Sequence, residues 1–170
     1  MLMAEKKILL VVPPQGFHDG QYEVCRRLWE RRGHKVSVAS LAGAARGEAG
    51  TAIPVDTAIM DVKSYDYDAM VFLGGEGARL LFDDESARKL AKDAKYKVMA
   101  ASDKAVIFLS LAGALEDKKV TGPSESISWL LKGKAQYTGE PIRIDDKLIT
   151  VQDPGMSEQM ANAVLAALEK

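Results

Sequence analysis

The chain has 170 residues, 47% of them hydrophobic, which suits one compact domain over residues 1–170 with a real core. With 23 Lys and Arg against 24 Asp and Glu, the net charge is -1, and neither nucleic acid nor an anionic membrane surface is an expected partner. The single cysteine, Cys25, excludes an internal disulfide and fits a reducing, cytoplasmic setting.

The first apolar run, Ile8 to Val12, is too short for a signal core or a membrane span and stops at Pro13-Pro14. It reads instead as a strand buried on both faces, as do Ala69 to Leu73 and Val98 to Ala101. Lys35 to Ala39 alternates polar and apolar residues and predicts a less buried strand. Between the first two strands, Gln21 to Arg32 places Val24, Cys25, Leu28 and Trp29 on one helical stripe, with Gly33 as its stop. Thr51 to Val62 predicts a short hairpin or edge strand. Asp84 to Ala94 opens on acids and carries lysines later, which matches the helix dipole. Ala105 to Ala112 is apolar on most sides and predicts a buried helix. Further on come a short strand at Lys119 to Thr121 and a helix from Ser124, as cap, to Leu131. Ile142 to Ile144 and Leu148 to Val151 form a hairpin around Asp145-Asp146-Lys147, and Asp153-Pro154-Gly155 makes a turn. A final helix, capped by Ser157, carries Met160, Ala163, Val164, Ala167 and Leu168 at helical spacing.

Strands alternating with helices imply a parallel sheet with right-handed crossovers, and ligands of such sheets sit beyond the carboxyl ends of the strands. Three segments therefore converge: Pro13 to Gln21, Gly74 to Gly77, and Ser102-Asp103-Lys104. Gly74-Gly75 after a strand can turn the backbone N–H groups inward as an anion nest, or can simply be a tight strand-to-helix turn. Val98 to Ser102 before an apolar helix has the layout of a strand–nucleophile–helix elbow.

Here the sequence resembles the ThiJ/PfpI superfamily. Asp68 to Gly75 (DAMVFLGG) is similar to that family's DALVLPGG segment, and Val98 to Ala105 (VMAASDKA) falls where the family has VATICHGP or close variants. Lys147 to Gly155 resembles its terminal strand–PG–helix segment, and Lys7 to Val36 its opening strand, loop and helix. The resemblance implies a flavodoxin-like three-layer αβα sandwich with a mainly parallel sheet, as in class I glutamine amidotransferases. It also implies a homodimer or higher oligomer, and an elbow cysteine assisted by a glutamate and often a histidine, with peptidase, glyoxalase or chaperone activities. At the matching positions this sequence has Ser102 for the cysteine, Asp103 for the histidine after it, Lys104 for the following glycine, and His18 and Gln21 for the loop acids. Only the backbone donors of Gly75 and Asp103 are carried over, as an oxyanion hole.

A serine holds its proton at neutral pH unless a general base takes it, so the expectation is a family member without cysteine-dependent catalysis: a binding, regulatory or structural oligomer. A small-molecule ligand near Gly74, Gln21 and Lys104 is expected, with no cofactor or metal. The alternative is a hydrolase or glyoxalase-like enzyme in which Ser102 works with His18 and either Asp19 or Asp103. Cys25 could replace the thiol from another wall, or be a core residue. His34 reads as structural, and Trp29 and Trp129 as packing or interface residues.

Overall fold

The computed structural model describes residues 4–170. In chain order the strands are β1 (Lys7–Val11), β2 (Gln15–Phe17), β3 (Lys35–Ser40), β4 (Ala44–Gly47), β5 (Ala52–Pro54), β6 (Thr57–Ala58), β7 (Ala69–Phe72), β8 (Val98–Ser102), β9 (Lys119–Val120), β10 (Gln136–Tyr137), β11 (Ile142–Asp145) and β12 (Leu148–Val151). The α-helices are α1 (Asp19–Arg31), α2 (Glu85–Ala94), α3 (Ala105–Leu111), α4 (Ile127–Lys132) and α5 (Ser157–Leu168), with a 3-10 turn at Glu76–Leu81.

Seven strands form one sheet in the order β11-β12-β8-β7-β1-β3-β6. Every pairing in it is parallel except β11 with β12, which is the expected hairpin. Side chains alternate across a strand, so each strand feeds two cores. Ile8 and Leu10 of β1 and Val98 and Ala100 of β8 join the core under α1 and α5. Leu9 and Val11, with Met99 and Ala101, join the core under α2, α3 and α4. This is the flavodoxin-like three-layer sandwich, and the continuous apolar runs follow from a sheet buried on both faces.

Several boundaries differ from the sequence reading for local reasons. Thr51 to Val62 is divided: β5 pairs antiparallel with β4 in a small satellite sheet, while β6 adds to the edge of the main sheet. Ser124 caps nothing, because residues 124–126 form a 3-10 turn whose side chains do not bond the helix that follows. Ser157 is the first residue of α5 rather than its cap, and its hydroxyl donates back to the Pro154 carbonyl at 2.5 Å. Asp84 does cap α2, accepting the Ala87 N–H at 2.8 Å. Trp129 is part-exposed on α4, whereas Trp29 is fully buried.

His34 is indeed structural. It is 4% exposed, and its Nδ1 accepts the Lys6 N–H at 3.0 Å. The neutral ring must therefore carry its proton on Nε2, which is buried without a partner. Burial first, then the charges of Lys6 and Arg32, push its pKa below the usual 6.5. A base whose pKa is lower folded than unfolded leaves the unfolded chain holding more protons, so stability present above about pH 6.5 drains away as the pH falls through the folded value. Urea unfolding at pH 7.5 and pH 5 should show that loss, and His34→Asn, which keeps an acceptor for Lys6 but cannot titrate, should show less of it. Equal pH dependence in the two proteins would refute the assignment.

Candidate functional site at the carboxyl ends of the strands

The three segments expected to converge do so at the carboxyl ends of β1, β7 and β8. The His18 N–H donates to the Gly74 carbonyl at 3.2 Å, tying the first loop to the second. A side chain at Gly74 would collide with the Ser102 carbonyl, and one at Gly75, where φ is +121°, would collide with the Gly16 carbonyl. Glycine is needed at both because three backbones meet there.

Strand alternation fixes the direction of Ser102. Val98 and Ala100 face the α1 layer, and Ser102, two residues further on, faces it too. Its side chain is fully buried. The hydroxyl accepts the Gly74 N–H at 3.0 Å and donates to Oε1 of Gln21 on α1. Gln21 is itself fully buried, and its Nε2 has no partner. Ser102 is thus the last residue of β8, pinned between α1 and the Gly74 turn.

The elbow falls one residue later. Asp103 has φ +51°, a conformation that non-glycine residues seldom adopt and that Asp tolerates better than most. Its side chain is half-buried and faces the N–H groups of Gly75 and Lys104. Burial raises its pKa, and those two donors and the Lys104 charge only partly oppose the rise, so the net displacement is upward. The two donors that could hold a substrate oxyanion are therefore faced by the protein's own carboxyl group.

This geometry corrects the expected oxyanion pair. The Asp103 N–H is spent on the Val151 carbonyl at 3.1 Å, so it is not free to act beside that of Gly75. Nor do Ser102 and His18 form a pair. His18 is the N-cap of α1, and its Nδ1 accepts the Gln21 N–H at 3.2 Å. Asp19 is committed elsewhere: its oxygens accept the N–H groups of Ala49 at 2.8 Å and Thr51 at 2.9 Å. Burial would raise the Asp19 pKa, but these bonds to the charged form outweigh it and the net shift is downward.

Lys104, the residue after Asp103, pairs with acids from two other segments. Its Nζ is 2.5 Å from the Glu76 carboxylate and 4.0 Å from that of Glu125. The bond to Glu76 raises the Lys104 pKa, and the same bond lowers that of Glu76. Glu76 therefore meets Lys104, while its own N–H donates to Glu48 at 2.7 Å. The residue that sequence reasoning missed is Glu48; it sits on an exposed loop with no motif around it.

Cys25 lies on the buried face of α1, fully covered, and burial pushes its thiol up to about 12. A thiol held in that state is a core residue rather than a nucleophile. Among the described residues, no group of three or more His, Cys, Asp or Glu is placed to hold a metal ion, and no helix is long and apolar enough to cross a membrane.

Residues 6–167 match the DJ-1/PfpI family. The chain belongs to that family. Among relatives of this DJ-1/PfpI member, the uncharacterized protein MJ0967 of Methanocaldococcus jannaschii is 33% identical over 99% of this chain and 85% of its own length. The glutathione-independent glyoxalase DJR-1.2 of Caenorhabditis elegans is 25% identical over 99% of this chain and 91% of its own. The crystal structure of a ThiJ/PfpI domain protein from Brachyspira murdochii superposes with a TM-score of 0.91, at 30% identity, covering 97% of both chains. The DJ-1/PfpI member described here thus shares the fold of its relatives, with Asp103 at the turn after β8.

Proposed function

We propose that this chain is a DJ-1/PfpI protein of one domain that has lost cysteine-dependent catalysis and acts as a binding, regulatory or structural oligomer in the cytoplasm. The observation that carries the reading is the placement of Asp103. The chain's one thiol, Cys25, is sealed in the core, while the elbow presents a carboxyl group toward the Gly75 and Lys104 N–H groups. A carboxylate is a poor nucleophile next to a thiolate, and by facing the two donors it leaves less room for the negative charge that acyl or carbonyl chemistry develops there. The alternative hydrolase built on Ser102 and His18 lacks support, because the Ser102 hydroxyl donates to Gln21 rather than to His18.

The test is direct. Purified protein incubated with methylglyoxal, a peptide substrate or an activated ester should consume none of them faster than buffer. Turnover of methylglyoxal that Asp103→Asn abolishes, or ester hydrolysis that Ser102→Ala abolishes in a folded protein, would overturn the proposal.

A further inference from the structure

At the opposite end of the sheet, beneath the amino ends of β8 and β12, lies a cavity of about 210 Å3. Lys95, Lys97, Lys118 and Lys147 line it, together with Tyr96. Met99, Ala114 and Leu148, all nearly buried, contribute apolar wall. The only acids on its wall are Asp145 and Asp146, and Asp145 already accepts the Lys119 N–H at 2.8 Å. Among the described residues none of the four lysines makes an ion pair. Lys97 donates to the Tyr67 carbonyl at 2.8 Å, and Lys95 stands 5.2 Å from the centre of the Tyr96 ring. In a chain of net charge -1, four lysines against two aspartates give the lining of this recess a local excess of positive charge.

We propose that this recess binds a small phosphate-bearing metabolite. A compact, multiply charged anion complements a lining in which lysines outnumber acids. The volume suits a phosphate monoester or a pyrophosphate; it is below the usual range of about 300–1,000 Å3 for drug-sized ligands. Ammonium groups act as point charges and suit a tetrahedral phosphate, whereas planar carboxylates are best matched by the arginine fork, and no arginine lines the recess. The charged groups come from three separate connections: α2 to β8, α3 to β9, and β11 to β12.

The experiment uses the full chain, with glycerol 3-phosphate and inorganic pyrophosphate as probes and succinate at matched ionic strength as the comparison. Calorimetry should give millimolar or tighter binding of both phosphates, and the amide resonances of Ala114 and Leu148 should shift on titration. Replacing Lys118 and Lys147 together by Gln should weaken binding by up to about fivefold for each charge removed, leaving the melting temperature of the unliganded protein unchanged. No binding at about 10 mM probe, a range still within weak electrostatic association, would overturn the proposal. So would unchanged affinity in the double variant, or succinate binding as tightly as pyrophosphate.

Discussion

Asp103→Cys should create a reactive thiol, and Ser102→Cys should not. At residue 103 the backbone is at φ +51°, the side chain is half-buried, and it faces two backbone N–H groups with the Lys104 ammonium nearby. Burial would raise a thiol there as it raises the Asp103 carboxyl, but the donors and the positive charge oppose it, so the new cysteine should hold more thiolate than one at residue 102. At residue 102 the side chain is fully buried between Gln21 and the Gly74 turn, where desolvation favours the neutral thiol. One unit of pKa difference is a tenfold difference in thiolate near neutral pH, so alkylation by iodoacetamide at pH 7 should be at least about ten times faster in the Asp103→Cys protein. The unaltered chain is the control, since Cys25 is fully covered with its thiol at about 12 and should stay unmodified while folded. Faster alkylation of the Ser102→Cys protein would return the elbow to residue 102 and with it the serine-centred alternative.

The contrast matters because the two residues differ by one step along a strand and by almost everything else. Ser102 ends the β ladder: it still pairs in register with Val151. Asp103 begins the turn. A residue in the ladder has its side chain directed by sheet alternation, and a residue in the turn has it directed by the connection to α3. The hydroxyl therefore serves packing between sheet and α1, while the carboxyl faces the Gly75 and Lys104 N–H groups. Gln21 fits the same account. An amide can accept the Ser102 proton without carrying charge into a fully buried position, which a glutamate there could do only at the cost of desolvation.

Much of this was legible in the residues. The buried runs at Ile8, Ala69 and Val98 announce a sheet covered on both sides, and the helical stripe through Cys25 and Trp29 identifies the face of α1 that meets it. The satellite strands β2, β4 and β10 were not foreseen, because segments of two to four residues with mixed polarity carry too little periodicity to register. At the site, the resembled motif puts the elbow at Ser102. The alternation from Val98 through Ala100 would have predicted an inward-facing Ser102, and Asp is among the few residues at ease with positive φ. The role of Glu48 had no local signal at all, since it comes from a loop 28 residues away in sequence from the Glu76 N–H that it accepts.

Trp29→Ala should be among the most damaging substitutions in the chain, lowering stability by about 3–5 kcal/mol. Trp29 is the largest of the fully buried side chains and lies where α1 packs on α5 and the sheet. Its indole Nε1 donates to the Ala161 carbonyl of α5 at 3.1 Å, so the ring both fills volume and joins two helices. Truncation removes the buried surface and leaves a cavity that helices anchored to a seven-stranded sheet cannot fully close. Trp29→Phe keeps most of the volume but loses the donor, and should cost less, about 1–3 kcal/mol. Urea unfolding followed by far-ultraviolet circular dichroism would measure both, with the midpoint falling and the slope unchanged if the native state is otherwise intact. Because domains of this size are stable by only about 5–15 kcal/mol, the alanine variant should sit close to the edge of folding at 37 °C. A loss under about 1 kcal/mol, the range of ordinary surface changes, would mean that α1 is not anchored through Trp29. Since Gln21 reaches Ser102 from the same helix, the site's inner wall would then need another support.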